Sequence, residues 1–211
     1  LDTIMSPEKK LREKLFEEMK SRIKETDMSV PYLKNGYYYY TRYEEGREYP
    51  VYCRKKGSLE ATEQVILNVN ELAAGHAYCH VSGLSVSPDA NLLAYGIDTV
   101  SRRRYTIHIK NLETNQLLPD VIHETTAGST WAGDNKTLFY SRKDTVTLRA
   151  DRIMRHTLGG KADKEVYHET DETYDVSVEK TKSGKYIVIN SESTLSSESR
   201  ILDASKPNDA F

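Results

Sequence analysis

The chain has 211 residues with 30 basic against 32 acidic side chains, a net charge of −2 that offers no electrostatic case for nucleic acid as a partner. Hydrophobic residues make up 37% and mean hydropathy is −0.67. No run approaches the roughly 20 apolar residues of a membrane span, so no membrane partner is expected.

Fifteen tyrosines against three phenylalanines and one tryptophan point to strands, where tyrosine covers apolar area while scoring as polar. Cys53 and Cys79 fall in separate predicted strands and form no CxxC pair. Buried thiols are expected, with no zinc or redox site. No leader pattern is visible and the chain begins at Leu1. A cytoplasmic location is expected, with a periplasmic one left open.

In chain order, Ser6-Pro7-Glu8 opens a helix, with Ser at the N-cap, Pro at the first helical position and an acid near the positive dipole end. Lys9 stands where a capping box would want Glu. Leu11, Leu15, Phe16, Met19 and Ile23 share one face of this helix, which should end near Glu25 and needs a surface to dock on.

No second helix is predicted. Asn35-Gly36 is the strongest hairpin signal, joining a short strand around 30–33 to one at 37–43. Strands at 49–54 and 64–68 complete a first set. A second set runs through 83–87, 92–98, 104–112 and 117–122, and a third through 129–132, 137–141, 152–158 and 165–168. The fourth set holds 174–178, 186–190 and 199–203 and lacks its outer strand.

Turns at Gly36, Asn91, Asn135 and Gly184 recur every 45 to 55 residues or so, a spacing typical of four-stranded propeller blades. A single blade cannot bury both faces, so the blades must stack. The fold class is therefore all-β. The expected architecture is a partial β-propeller of about three and a half four-stranded blades, preceded by one amphipathic α-helix. The domains expected are 1–27 for the helical segment and 28–211 for the propeller, with blades at 28–70, 78–123, 128–169 and 173–211. The incomplete last blade suggests a piece of a longer chain, and its exposed blade edges offer a route to self-association.

No active site assembles from the residues. Gly83-Leu84-Ser85-Val86-Ser87 departs from Gly-x-Ser-x-Gly at its fifth place and enters a Pro-Asp turn, so Ser85 reads as a strand residue. The six histidines show no metal spacing, and His108 and His156 read as polar-face strand residues. No catalytic residue, metal or cofactor is expected. The loops are more informative. Those between second and third strands (44–47, 101–104, 142–144, 191–198) should open on the same face as the blade-to-blade connections (71–78, 124–126, 168–172). That face carries both signs of charge and suits reversible docking on another domain.

Val30-Pro31-Tyr32-Leu33-Lys34-Asn35-Gly36-Tyr37, Glu48-Tyr49 and Gly75-His76-Ala77-Tyr78 are followed in order by Ser87-Pro88-Asp89, Ser101-Arg102-Arg103, residues 110–114, Thr130-Trp131-Ala132, residues 155–159 and residues 193–203. This succession covers nearly the whole chain and resembles the oligopeptidase B (protease II) branch of the prolyl oligopeptidase family of serine peptidases.

The resemblance implies a seven-bladed propeller over a C-terminal α/β-hydrolase domain, in a parent enzyme that cleaves short peptides after Arg or Lys. The present chain would supply the interdomain helix and the substrate-gating part of the propeller. Its partners would be the absent catalytic domain and, in the parent, short basic peptides. Arg103 matches the second arginine of the family's Ser-Arg-Arg loop, and Glu124 stands roughly where the family offers an acid to the catalytic domain. Arg102, Asp171 and Glu172 are further gate candidates. The alternative is a free-standing protein-interaction propeller with no enzymatic activity.

Overall fold

A computed structural model describes residues 6–211 and divides the chain into two compact units, 1–70 and 71–211. The first five residues of the expected 1–27 segment lie outside the described residues.

In the first unit a 3-10 turn, Ser6–Glu8, precedes helix α1, Lys9–Ser21. The cap position falls to Glu8 rather than Ser6, and Glu8 makes no side-chain cap bond. The helix ends short of Glu25, where the Ser21 hydroxyl donates back to the Glu18 carbonyl at 2.8 Å and the Arg22 and Ile23 N–H groups close the last turn on Met19 and Lys20. Its apolar residues are exposed, from Leu15 at 46% to Met19 at 60%, as is Ile23 just past its end.

A four-stranded antiparallel sheet follows in the order β1 (Tyr32–Lys34), β2 (Tyr37–Arg42), β3 (Val51–Lys56), β4 (Glu63–Asn68). Asn35 and Gly36 both take positive φ, 49° and 78°, as a two-residue hairpin of matching twist requires. β3 starts two residues later than expected. Pro50 has no N–H to give a ladder, and Tyr49 is bound instead to the Asn70 side chain through both its N–H and its carbonyl. Tyr40, Val51 and Cys53 form this sheet's buried cluster.

A single helical turn that the sequence pattern does not predict, α2 (Val69–Leu72), leads to the second unit. There β5 (His80–Val86), β6 (Leu92–Asp98), β7 (Tyr105–Asn111), β8 (Leu117–Trp131), β9 (Thr137–Lys143), β10 (Ala150–Thr157) and β11 (Lys164–His168) run as one antiparallel meander of seven strands. β12 (Asp175–Lys180), β13 (Tyr186–Glu192) and β14 (Ser197–Asp203) form a separate three-stranded sheet.

The sequence pattern separates 117–122 from 129–132. In the structure both belong to β8, fifteen residues long. Its first half pairs with β7 and its second with β9, and Thr125 serves both, opposite Tyr105 and Arg142. Positive φ at Glu124 (59°) and Ala127 (75°) turns the strand from one meander into the next without leaving the ladder.

β9 shows how these layers are held. Leu138 and Tyr140 point into a cluster with Ala94, Ile107, Ile109 and Trp131, while Phe139 points into the opposite one with Val176, Ile187 and Ile189. Strand alternation thus buries both faces, as stacked blades require. Each fully buried aliphatic contributes about 1.5–3 kcal/mol.

Candidate functional site

The motif around Ser85 is structural. Gly83 sits in a β-bulge between Ser82 and Ser85 with φ 66°, and an added Cβ would lie 2.0 Å from the Ala127 carbonyl oxygen. Glycine is needed there so that β8 can cross over β5. The Ser85 carbonyl accepts the Trp131 indole N–H at 2.9 Å, and no histidine faces its hydroxyl among the described residues. Cys53 and Cys79 are free and buried, and burial pushes the Cys53 thiol up to about 11, so both are inert packing groups.

The sequence pattern places His156 on a polar face and misses its role. It is buried, with Nδ1 2.7 Å from Asp163 and Nε2 2.9 Å from Asp120. Each ring nitrogen thus faces a carboxylate oxygen. The Tyr140 hydroxyl donates to the other Asp163 oxygen at 2.6 Å, and the Gly159 N–H to Asp120 at 2.7 Å. This closed network ties β8, β10 and the connection to β11. It has no vacant position and serves as a staple.

The loop between β6 and β7 is built around one buried carboxylate. Asp98 is 1% exposed and accepts the N–H groups of Val100 (2.9 Å), Arg102 (3.0 Å) and Arg103 (2.8 Å). Ser101 and Arg103 take positive φ to converge on it. The arginines therefore stand on a preformed turn.

Their fates differ. Arg104 forms a two-pronged pair with Glu124, Nε to Oε2 at 2.7 Å, and its guanidinium holds the Glu124 carboxyl below the usual carboxylate range. Arg103 lends its carbonyl to Lys143 Nζ at 2.8 Å, and burial, followed by the Arg103 charge, lowers the lysine's pKa. The guanidinium groups of Arg102 and Arg103 have no ion pair or hydrogen bond among the described residues. Glu124, expected to face outward, is thus engaged by Arg104, while Arg102 and Arg103 remain available.

Asp171 and Glu172 lie on the connection from β11 to β12. Glu169 organises it, accepting the Ser191 hydroxyl at 2.6 Å, the Tyr167 hydroxyl at 2.7 Å and the Asp171 N–H at 3.0 Å; these bonds lower its pKa to about 2. Arg149 clamps the same connection by donating to the carbonyls of Glu169, Asp171 and Tyr174. Asp171 turns inward on the Thr173 N–H and hydroxyl, the former chiefly lowering its pKa. Glu172 is exposed. Tyr174 reaches on to Ser196 at 2.6 Å. Within the second unit, hydrogen bonds join the β6–β7 loop to β9, β8 to that loop, and the β9–β10 loop to the β11–β12 connection. Among the described residues no group of His, Cys, Asp and Glu is arranged to hold a metal ion.

Stacked antiparallel meanders that carry charge on their connecting loops define a propeller-type domain. The prolyl oligopeptidase N-terminal β-propeller domain matches residues 1–211, and the chain belongs to that family. It is 41% identical to dipeptidyl aminopeptidase BI of Pseudoxanthomonas mexicana over 98% of the chain, and 32% identical to protease 2 of Moraxella lacunata over 97%. It spans 31% of the length of each.

Among solved structures it resembles oligopeptidase B from Leishmania major (TM-score 0.92, 32% identity, 97% of this chain and 29% of that one). It likewise resembles the closed, antipain-bound oligopeptidase B of Trypanosoma brucei (TM-score 0.89, 29% identity, the same coverage). The resemblance read from the sequence is borne out at the level of family, peptidase relatives and propeller fold.

Proposed function

We propose that this chain is the substrate-gating part of a serine oligopeptidase that cleaves short peptides after Arg or Lys, with the chemistry supplied by a C-terminal α/β-hydrolase domain. The observation that carries the reading is the pair of unpaired guanidinium groups, Arg102 and Arg103, on a turn pre-shaped by Asp98, in a chain that superposes on oligopeptidase B. Ordered, unsatisfied cations on a connecting loop suit reversible ion pairs to a neighbouring domain, weak singly and orientation-setting together. The exposed apolar face of α1 fits the same role, as a helix that rests on the catalytic domain.

A second reading of the activity is favoured by the 41% identity to dipeptidyl aminopeptidase BI: release of dipeptides from peptide amino termini. Products from a peptide with an internal Arg separate the two. The test of the gate is an Arg102→Ala, Arg103→Ala double substitution in the parent enzyme. The expected outcome is a severalfold change in kcat/KM for peptides and faster attack on longer ones, at unchanged folding stability. Unaltered kinetics across peptide lengths would contradict it.

A further inference from the structure

The β6–β7 turn carries positive charge that its surroundings leave uncompensated. Arg102 and Arg103 are exposed, and their guanidinium groups have no ion pair or hydrogen bond among the described residues. The acids on the turn and on the elements bonded to it are committed elsewhere. Asp98 is spent on the turn's own N–H groups and Glu124 on Arg104. Asp144 accepts the Val146 and Thr147 N–H groups and the Thr147 hydroxyl. Asp175 bears on Lys143, and among the described residues it forms no ion pair with either arginine.

The turn is built before any partner arrives. One carboxylate, 1% exposed, pins its backbone at the N–H groups of Val100, Arg102 and Arg103. From β9, Lys143 holds the Arg103 carbonyl at 2.8 Å. Only side-chain rotamers remain to be fixed on binding, which lowers the entropic cost of capturing an anion. Val100, 64% exposed, stands on the same turn with its N–H on the same carboxylate. A single preformed turn thus offers an aliphatic side chain together with two free planar forks.

Guanidinium forks match carboxylates through parallel hydrogen bonds. A carboxylate that also carries an apolar group is what a peptide presents at its end when the last residue is aliphatic. We propose that the Arg102–Arg103 turn is a subsite for the free C-terminal carboxylate of a short peptide, with Val100 as the rest for its last side chain. This deepens the gating function proposed above and rests on it for the source of the peptide. The arginines then measure the chain beyond the scissile bond. A short peptide brings its carboxylate to them, and a longer one overshoots.

An NMR titration of this chain at constant ionic strength tests the subsite with three probes: acetyl-alanyl-leucine, its C-terminal amide, and acetate. The free acid is expected to bind in the millimolar range, as exposed ion pairs do, the amide not at all, and acetate severalfold more weakly. Arg102→Ala combined with Arg103→Ala should weaken the free acid about tenfold. Val100→Ser should bring it down to the level of acetate. All three side chains are exposed, so an unchanged unfolding midpoint is expected in both variants. No binding of the free acid, equal binding of the amide or of acetate, or unchanged affinity in the double variant would overturn the proposal.

In the parent enzyme, a short peptide with Arg before the scissile bond is compared with its own C-terminal amide. The free acid should show a severalfold lower KM at similar kcat, and the double variant should erase that difference. Equal KM values in the parent, or a difference that persists in the variant, would leave the arginines to the neighbouring domain and overturn the subsite. If the parent cleaves neither peptide while the titration succeeds, the carboxylate site stands and the peptidase reading falls. Cleavage without binding in the titration leaves the peptidase standing and overturns the subsite.

Discussion

Gly83 shows how a single residue can imitate chemistry. Its glycine and the serine two places on suggest a nucleophile motif, while the structure uses the glycine for a close strand crossing. Gly83→Ala should therefore destabilise the fold by about 3 kcal/mol or more, because the new methyl meets a backbone carbonyl and φ is positive. Urea denaturation checks this; a loss below about 1 kcal/mol would be inconsistent with the clash.

Glu169 gives a pH-dependent counterpart. Its pKa is depressed in the folded state, to about 2, so its contribution is present above the unfolded value near 4.5 and is lost as pH falls from there towards 2. The stability gap between the protein and Glu169→Gln should be full at pH 7 and shrink across that window. Some residues stay hidden from sequence reading for a physical reason. Asp98 and His156 act through partners far along the chain or through backbone turned back on them, and no local spacing encodes these.

At the scale of elements, the legible features are those that local stereochemistry fixes. Asn35-Gly36 specifies its hairpin because both residues tolerate positive φ. The strands β6, β7 and β9 follow from their alternation and β-branched or aromatic content. The pattern divides β8 in two because Glu124-Thr125-Thr126 looks like a polar loop, whereas Thr125 is buried and pairs on both sides.

The apolar stripe of α1 is legible, and its exposure is the structural observation that calls for a covering surface. The sheet edges are likewise open. β12 and β14 each have one unpaired side within their sheet, and β14 exposes most of its residues. Such edges template pairing with another copy. Light scattering on this chain is expected to show concentration-dependent association; a stable monomer at high concentration would argue that these edges are protected.

For the whole molecule, the charged loops gain meaning from the family. Charge balance alone could not separate a solvated rim from a docking face. The structure separates the arginines into one that is locked to Glu124 and two whose guanidinium groups have no ion pair or hydrogen bond among the described residues. The chain spans 31% of the length of each of the two curated relatives.

The most direct measurement is hydrolysis of fluorogenic peptides of graded length with Arg or Lys before the scissile bond, by this chain and by its parent in parallel. The account predicts no turnover by the chain, and by the parent rapid cleavage of short peptides that falls off steeply with length. Turnover by the chain alone, or a parent that cleaves none of these peptides, would contradict it.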